Sequence, residues 1–236
     1  MKLACTSRSF ANALDSGDLT QLEVIDLASR ELDVDGIVLD VAHFPRTDDD
    51  YLAQIKKMAT DLGLTIAAIE SDDLLSAGAQ RSTAVLEIAA KLGAPLAAAP
   101  LGSEAALPWA TQLTHLSDAA GAAKALNVTL ALRNAPATYA ASVHDCKRAS
   151  KETDSAWLRF GLDPERLDAA GDATALADRT VLLWCSTQAN AAGFIAAWAG
   201  FRGFLALEAP GTDVAEMKNA IRRWRIALAS FELNRT

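Results

Sequence analysis

Short apolar runs alternate along the chain with longer segments whose apolar positions recur at helical spacing. The runs are KLACT (2–6), GIVLD (36–40), LTIAAIE (64–70), APLAAA (94–99), VTLALR (128–133), LRFGLD (158–163), TVLLWC (180–185) and GFLALE (203–208). Most are continuously apolar rather than alternating, which is the pattern of strands covered on both faces. Between them lie LTQLEVIDLASREL, DDDYLAQIKKMATDLG, RSTAVLEIAAKLG and TDVAEMKNAIRRWRIALASFEL, each with apolar residues at the spacing of one helical face. Thr20, Asp48, Ser142 and Thr212 stand where a side-chain oxygen can accept the unpaired N–H groups of a first turn. Gly63, Gly93 and Asn127 stand where helices end, and each can adopt the left-handed conformation such an end often requires.

The strand-then-helix unit repeats every 30 residues or so, the signature of parallel βαβ construction. Eight such units predict an α/β fold, a closed (β/α)8 TIM barrel forming one domain over residues 1–236. A doubly wound sheet fits less well, since no GxGxxG turn follows the first strand. In a barrel the carboxyl ends of the strands converge on one mouth, where the chemistry is placed. Those ends read Asp40, Glu70, Pro100, Arg133, Asp163, Cys185 and Glu208.

Composition narrows the partners. The net charge is −8 and no stripe of lysine or arginine is present, so neither nucleic acid nor an anionic membrane surface is expected. The amino terminus lacks a signal-peptide stretch and no run approaches the roughly 20 apolar residues of a membrane span, which points to the cytoplasm. Cys5, Cys146 and Cys185 are odd in number and widely spaced, as reduced thiols are, and they form no zinc-ligand pair. Apolar surface on the barrel helices could support a homo-oligomer, although those faces are needed first for packing on the barrel.

Taken in order, KLACTSRSF, VDGIVLD with HFP, LGLTIAAIE, KLGAP, VTLALRN, FGLDP and GFRGFLALE resemble the xylose-isomerase-like barrels, a superfamily of sugar phosphate isomerases and epimerases related to metal-dependent AP endonucleases. The resemblance covers essentially the whole chain. It implies a sugar or polyol ligand at the mouth. It also implies a divalent metal such as Mn or Mg, held by a Glu ending the fifth strand, an Asp ending the sixth, a His on the seventh and a Glu ending the eighth. Here Asp163 and Glu208 match, whereas Arg133 stands at the fifth-strand position, Ala135 replaces a neighbouring His, and Cys185 falls where the seventh-strand His is expected, to within about one residue. A guanidinium has a fixed positive charge and no lone pair to offer a metal. No cofactor is therefore expected, and the metal site reads as degenerate.

Two roles remain for Arg133. It can bridge Asp163 and Glu208 in place of the metal's charge, or it can bind an anionic ligand; the nearby acids would repel the latter. If the barrel is an isomerase or epimerase, Glu208 is the expected base, Arg133 the group offsetting enediolate charge, and Glu70 or His43 the second acid–base group. His43, Asn134, Asp163, Asp40 and Cys185 are the expected substrate contacts. Each has a plainer role available: a loop hydrogen bond for His43, an exposed mouth carboxylate for Glu70, and an inert buried thiol for Cys185. Trp109, Trp157 and Trp184 are more simply packing residues than sugar-stacking ones, and Asp48–Asp50 a helix-start charge cluster. A noncatalytic carbohydrate-binding or protein-interaction descendant of the family is the alternative to an enzyme.

Overall fold

The computed structural model describes residues 1–167, 172–209, 211 and 213–233. Eight parallel strands close into a barrel in sequence order: β1 (Lys2–Thr6), β2 (Gly36–Asp40), β3 (Thr65–Glu70), β4 (Leu96–Ala99), β5 (Thr129–Arg133), β6 (Leu158–Leu162), β7 (Thr180–Ser186) and β8 (Phe204–Glu208). Closure is made by β1 against β8, with Lys2 opposite Phe204 and Cys5 opposite Leu207. The helices are α1 (Ala11–Ser16), α2 (Gln21–Arg30), α3 (Asp49–Asp61), α4 (Ala79–Leu92), α5 (Trp109–Leu126), α6 (Val143–Thr153), α7 (Ala191–Ala197) and α8 (Val214–Leu233). Only the β6–β7 connection has no α-helix among the described residues; short 3-10 turns, Pro164–Arg166 and Ala173–Arg179, take its place.

The helix boundaries follow local chemistry. Thr20 and Ser142 close reciprocal capping boxes with Glu23 and Asp145, and Asp48 accepts from the Tyr51 N–H, so two orphan donors are satisfied at each boxed end. Thr212 lies outside the described residues; Asp213 accepts from the Glu216 N–H at 2.7 Å ahead of α8. Gly63, Gly93 and Asn127 are left-handed as expected, with φ of 67°, 75° and 56°.

The pleat divides each strand between two cores. Outward residues such as Leu3, Ile37, Leu130, Phe160, Leu183 and Leu207 pack against the helices. The lumen is lined by Ala4, Val38, Ala68, Ala98, Ala131, Leu182 and Ala206, with the fully buried Trp184 among them. One large ring fills space that small side chains leave open, which is how close packing is kept in the barrel. Gly161 belongs to the same arrangement. A Cβ on it would lie 2.5 Å from the Trp184 ring, beside a register shift in the β6–β7 pairing. Gly161→Ala should therefore lower stability in chemical denaturation by about 1–3 kcal/mol, the usual cost of overpacking; an unchanged midpoint would mean that the indole can shift aside.

The period of two also decides what reaches the mouth. Two residues above Val38, Ala68, Ala131, Gly161 and Ala206 stand Asp40, Glu70, Arg133, Asp163 and Glu208, all buried. β7 differs by one residue from its expected end. It continues to Ser186, which follows Trp184 on the lumen side, while Cys185 joins the outward-facing apolar cluster.

Candidate functional site

Arg133 is 4 % exposed, so its charge must be met inside the protein. One terminal nitrogen donates to Glu70 Oε1 and the other to Glu208 Oε1 at 2.9 Å. Asp163 Oδ2 is farther, at 3.8 Å from the second nitrogen. The guanidinium lies over the Trp184 ring, 4.5 Å from its centroid, so the residue that fills the lumen also forms the floor beneath the charge. The bridge expected between Asp163 and Glu208 is thus made chiefly between Glu70 and Glu208. The reason is geometric: a planar fork satisfies two opposed carboxylates, and Asp163 has a second arginine of its own.

That arginine is Arg166, whose Nε lies 3.1 Å from Asp163 Oδ2 and whose terminal nitrogen donates to Glu208 Oε1 at 3.4 Å. Its side chain is 49 % exposed. On the opposite side of the mouth Arg8 donates to Asp40 at 2.6 Å and to Asp72 at 2.6 Å, and lies 3.4 Å from Glu70 Oε2. Neither Arg8 nor Arg166 was anticipated from sequence. They lie two and four residues beyond the last residues of β1 and β6, in SRSF and DPER, so looking past each strand's end would have found them.

Burial raises the Glu70 carboxyl above its ordinary pKa, with Arg133 and Arg8 opposing. The same balance, with Arg133 and Arg166 opposing, raises Asp163. Glu70, 0 % exposed, is not the exposed mouth carboxylate that was the plain alternative. Three carboxylate oxygens, Glu70 Oε2, Asp163 Oδ1 and Glu208 Oε2, are buried with no hydrogen-bond partner, so the acceptors at this mouth outnumber the donors that reach them.

A cavity of about 500 Å³ opens over the β6–β8 side, with Asp163, Arg166, Cys185, Ser186, Gln188 and Glu208 on its wall. Of the expected substrate contacts, Asp163 is on this wall, as is Glu208, the expected base; Cys185 borders the cavity but is 1 % exposed and belongs to the outward-facing cluster. Asp40 does not face this space, because Arg8 and the Ala42 N–H occupy its oxygens. Nor does His43, half-buried with Nδ1 3.3 Å from the Ser7 hydroxyl. That contact ties its loop to the residue that follows β1, through a side chain rather than the backbone. Asn134 is fully buried and turned to the Asp163 backbone, donating to its carbonyl at 2.9 Å and accepting from its N–H at 2.7 Å. Both ends of its amide are thus used to hold Asp163 in place.

Cys185 is a buried thiol whose pKa is raised first by burial, then by Glu165 and Asp163, which disfavours the reactive thiolate. Trp109 makes an edge contact with Tyr139, and Asp49 pairs with Lys91 at 2.7 Å at the start of α3. Among the described residues no group of three or more His, Cys, Asp or Glu side chains is arranged to hold a metal ion. The donor chemistry agrees: a guanidinium sits between the acids and Ser186 ends β7, where a hard divalent ion would want oxygen anions and imidazole. The residues present do not fit the metal that the sequence resemblance implied.

No family model matches the chain, and no curated protein does either. Solved structures match along its length. An L-ribulose 3-epimerase superposes with a TM-score of 0.79 at 17 % identity, covering 100 % of this chain and 98 % of that one. A D-tagatose 3-epimerase-like protein gives 0.78 at 11 % identity, covering 100 % of each. A xylose isomerase domain protein from Planctomyces limnophilus gives 0.71 at 12 %, covering 87 % of this chain and 91 % of that one. At such identities the likeness is one of fold.

Proposed function

We propose that the mouth of this xylose-isomerase-like barrel binds a small neutral carbohydrate or polyol without a divalent metal, Arg133 supplying the positive charge among the carboxylates. The observation that carries the reading is the pair of unpartnered carboxylate oxygens, Asp163 Oδ1 and Glu208 Oε2, on two residues of the cavity wall. Hydroxyl groups are the donors such acceptors lack. The likeness of fold to sugar epimerases supports the same ligand class. The wall carries Asp163, Glu165, Glu208 and Glu216 against Arg166 alone, so a phosphorylated sugar would meet repulsion.

Binding rather than turnover is the property the geometry favours. For isomerisation or epimerisation, Glu208 is the base on the cavity wall, and Arg133 would have to offset the enediolate. Both terminal nitrogens of Arg133 are already engaged with Glu70 and Glu208, leaving no open fork for an oxyanion.

Thermal-shift and calorimetric titration with pentoses, hexoses and their alditols test the reading. A neutral member should raise Tm, with an affinity unchanged by chelator, at least tenfold weaker in Glu208→Gln, and weaker still for the phosphorylated counterpart. Failure of every neutral sugar and alditol to bind, or binding only with Mn²⁺ or Mg²⁺ present, would overturn it. Solvent deuterium entering a bound ketose would place the protein among enzymes.

A further inference from the structure

Among the described residues the β6–β7 connection carries two 3-10 turns where the other units carry an α-helix. A second cavity of about 430 Å³ lies there, away from the mouth, lined by Phe160 and Leu176 and by Ser150, Lys147, Lys151 and Arg179. We infer that it is a binding site for a small amphipathic anion, a carboxylate on an aromatic or aliphatic body.

Two buried apolar side chains form the floor, Phe160 at 2 % and Leu176 at 4 % exposure, and they suit the body of such a ligand. Above them the charge is positive. Lys147 and Lys151 stand one turn apart on α6, and Arg179 faces them from the end of the second 3-10 turn. None of the three lies within 4.0 Å of a carboxylate among the described residues, whereas the arginines at the mouth, Arg8, Arg133 and Arg166, are all so paired. Asp154 and Asp178 are exposed at the rim, but Arg159 is also near. Burial and then Arg159 hold the Arg179 guanidinium below its ordinary pKa, with Asp154 opposing.

Two polar groups at the site are buried and lack a partner. One is the hydroxyl of Ser150, a residue 5 % exposed; the other is Arg179 Nε. Arg179 is otherwise fixed, its terminal nitrogen donating to the carbonyls of Leu158 at 2.9 Å and Ser155 at 3.3 Å, with the guanidinium 5.8 Å from the Phe160 ring centroid. A carboxylate would accept from both unpartnered donors and draw the two lysines toward it, a charge-assisted arrangement. The net charge of −8 makes this concentration of unpaired cations over an apolar floor a local exception, and gives an anion a reason to be selected here.

The test is titration of the full chain with 4-phenylbutyrate, against 4-phenylbutanol as the neutral counterpart. The carboxylate should bind at least tenfold more tightly than the alcohol, and the Leu176 methyl resonances should move on its addition. The Lys147→Gln/Lys151→Gln variant changes exposed positions and keeps the fold; it should weaken phenylbutyrate at least tenfold while leaving the alcohol unchanged. Equal affinity for acid and alcohol, unaltered binding in the lysine variant, Leu176 resonances that stay in place, or no binding at all would each overturn the assignment.

Discussion

Arg133→Met is expected to lower unfolding stability at neutral pH by about 3–5 kcal/mol, the range for removing one partner of a buried ion network. The cost comes from what stays behind. Glu70 loses the donor at its Oε1, Glu208 loses the shorter of two donors at its own and keeps Arg166 at 3.4 Å, and Asp163 loses one of its two nearby guanidiniums. The effect also has a pH signature. Glu70 and Asp163 are raised by burial, with Arg133 the largest opposing charge for each; without it both rise further. A carboxyl whose folded pKa lies above its unfolded value contributes stability that is present below the unfolded value and lost as pH rises through the folded one. The variant's deficit should therefore be smallest near pH 4 and grow toward pH 8. Arg133→Lys keeps the charge but not the fork, and should fall between. Denaturant unfolding at a series of pH values decides the matter; a deficit independent of pH would mean that the lost packing on Trp184, rather than the charge, is what the variant removes.

Trp184→Ala is expected to be of similar size, about 3–5 kcal/mol for deleting a large buried aromatic. Its neighbours cannot fill the space. Ala4, Ala68, Ala98, Ala131 and Ala206 already present the smallest side chains compatible with the strands, and the closed hydrogen-bonded barrel resists collapse. The variant also removes the surface under Arg133, so ligand affinity at the mouth should fall together with stability. Trp184→Phe, keeping a ring face, should recover part of both. The change is not additive with Gly161→Ala, because the clash made by the new methyl group is with the ring that Trp184→Ala deletes. A double variant as unstable as the sum of the singles would show that Gly161 is constrained by something other than the indole.

Much of this architecture was readable from the chain. Continuous apolar runs gave β1 and β2 to the residue, and Thr20, Asp48 and Ser142 marked helix starts because capping is a local interaction. β7 was misjudged by one residue: with Trp184 inward and Cys185 outward, the last lumen-facing position is Ser186, and an apolar run carries no mark of its own parity. At the site, a guanidinium among acids was legible at Arg133, but which acids it would reach was not, since that depends on side chains that converge from five different strands. Asn134 illustrates the limit. A polar residue at a strand end looked like a ligand contact, yet its partners are the backbone N–H and carbonyl of Asp163, 29 positions away. Distant pairings of this kind leave no periodicity to read.

The Asn134 clamp has a consequence for how binding would be divided between the two protein states. With its backbone held at both N–H and carbonyl, Asp163 is set in place when the chain folds, and its conformational entropy is spent before any ligand arrives. Arg166, half exposed and reaching the same carboxylate from a short turn, and the exposed Glu165 and Gln188 are parts of the wall still able to reorganise. Ordering on association should accordingly fall on these exposed side chains rather than on Asp163.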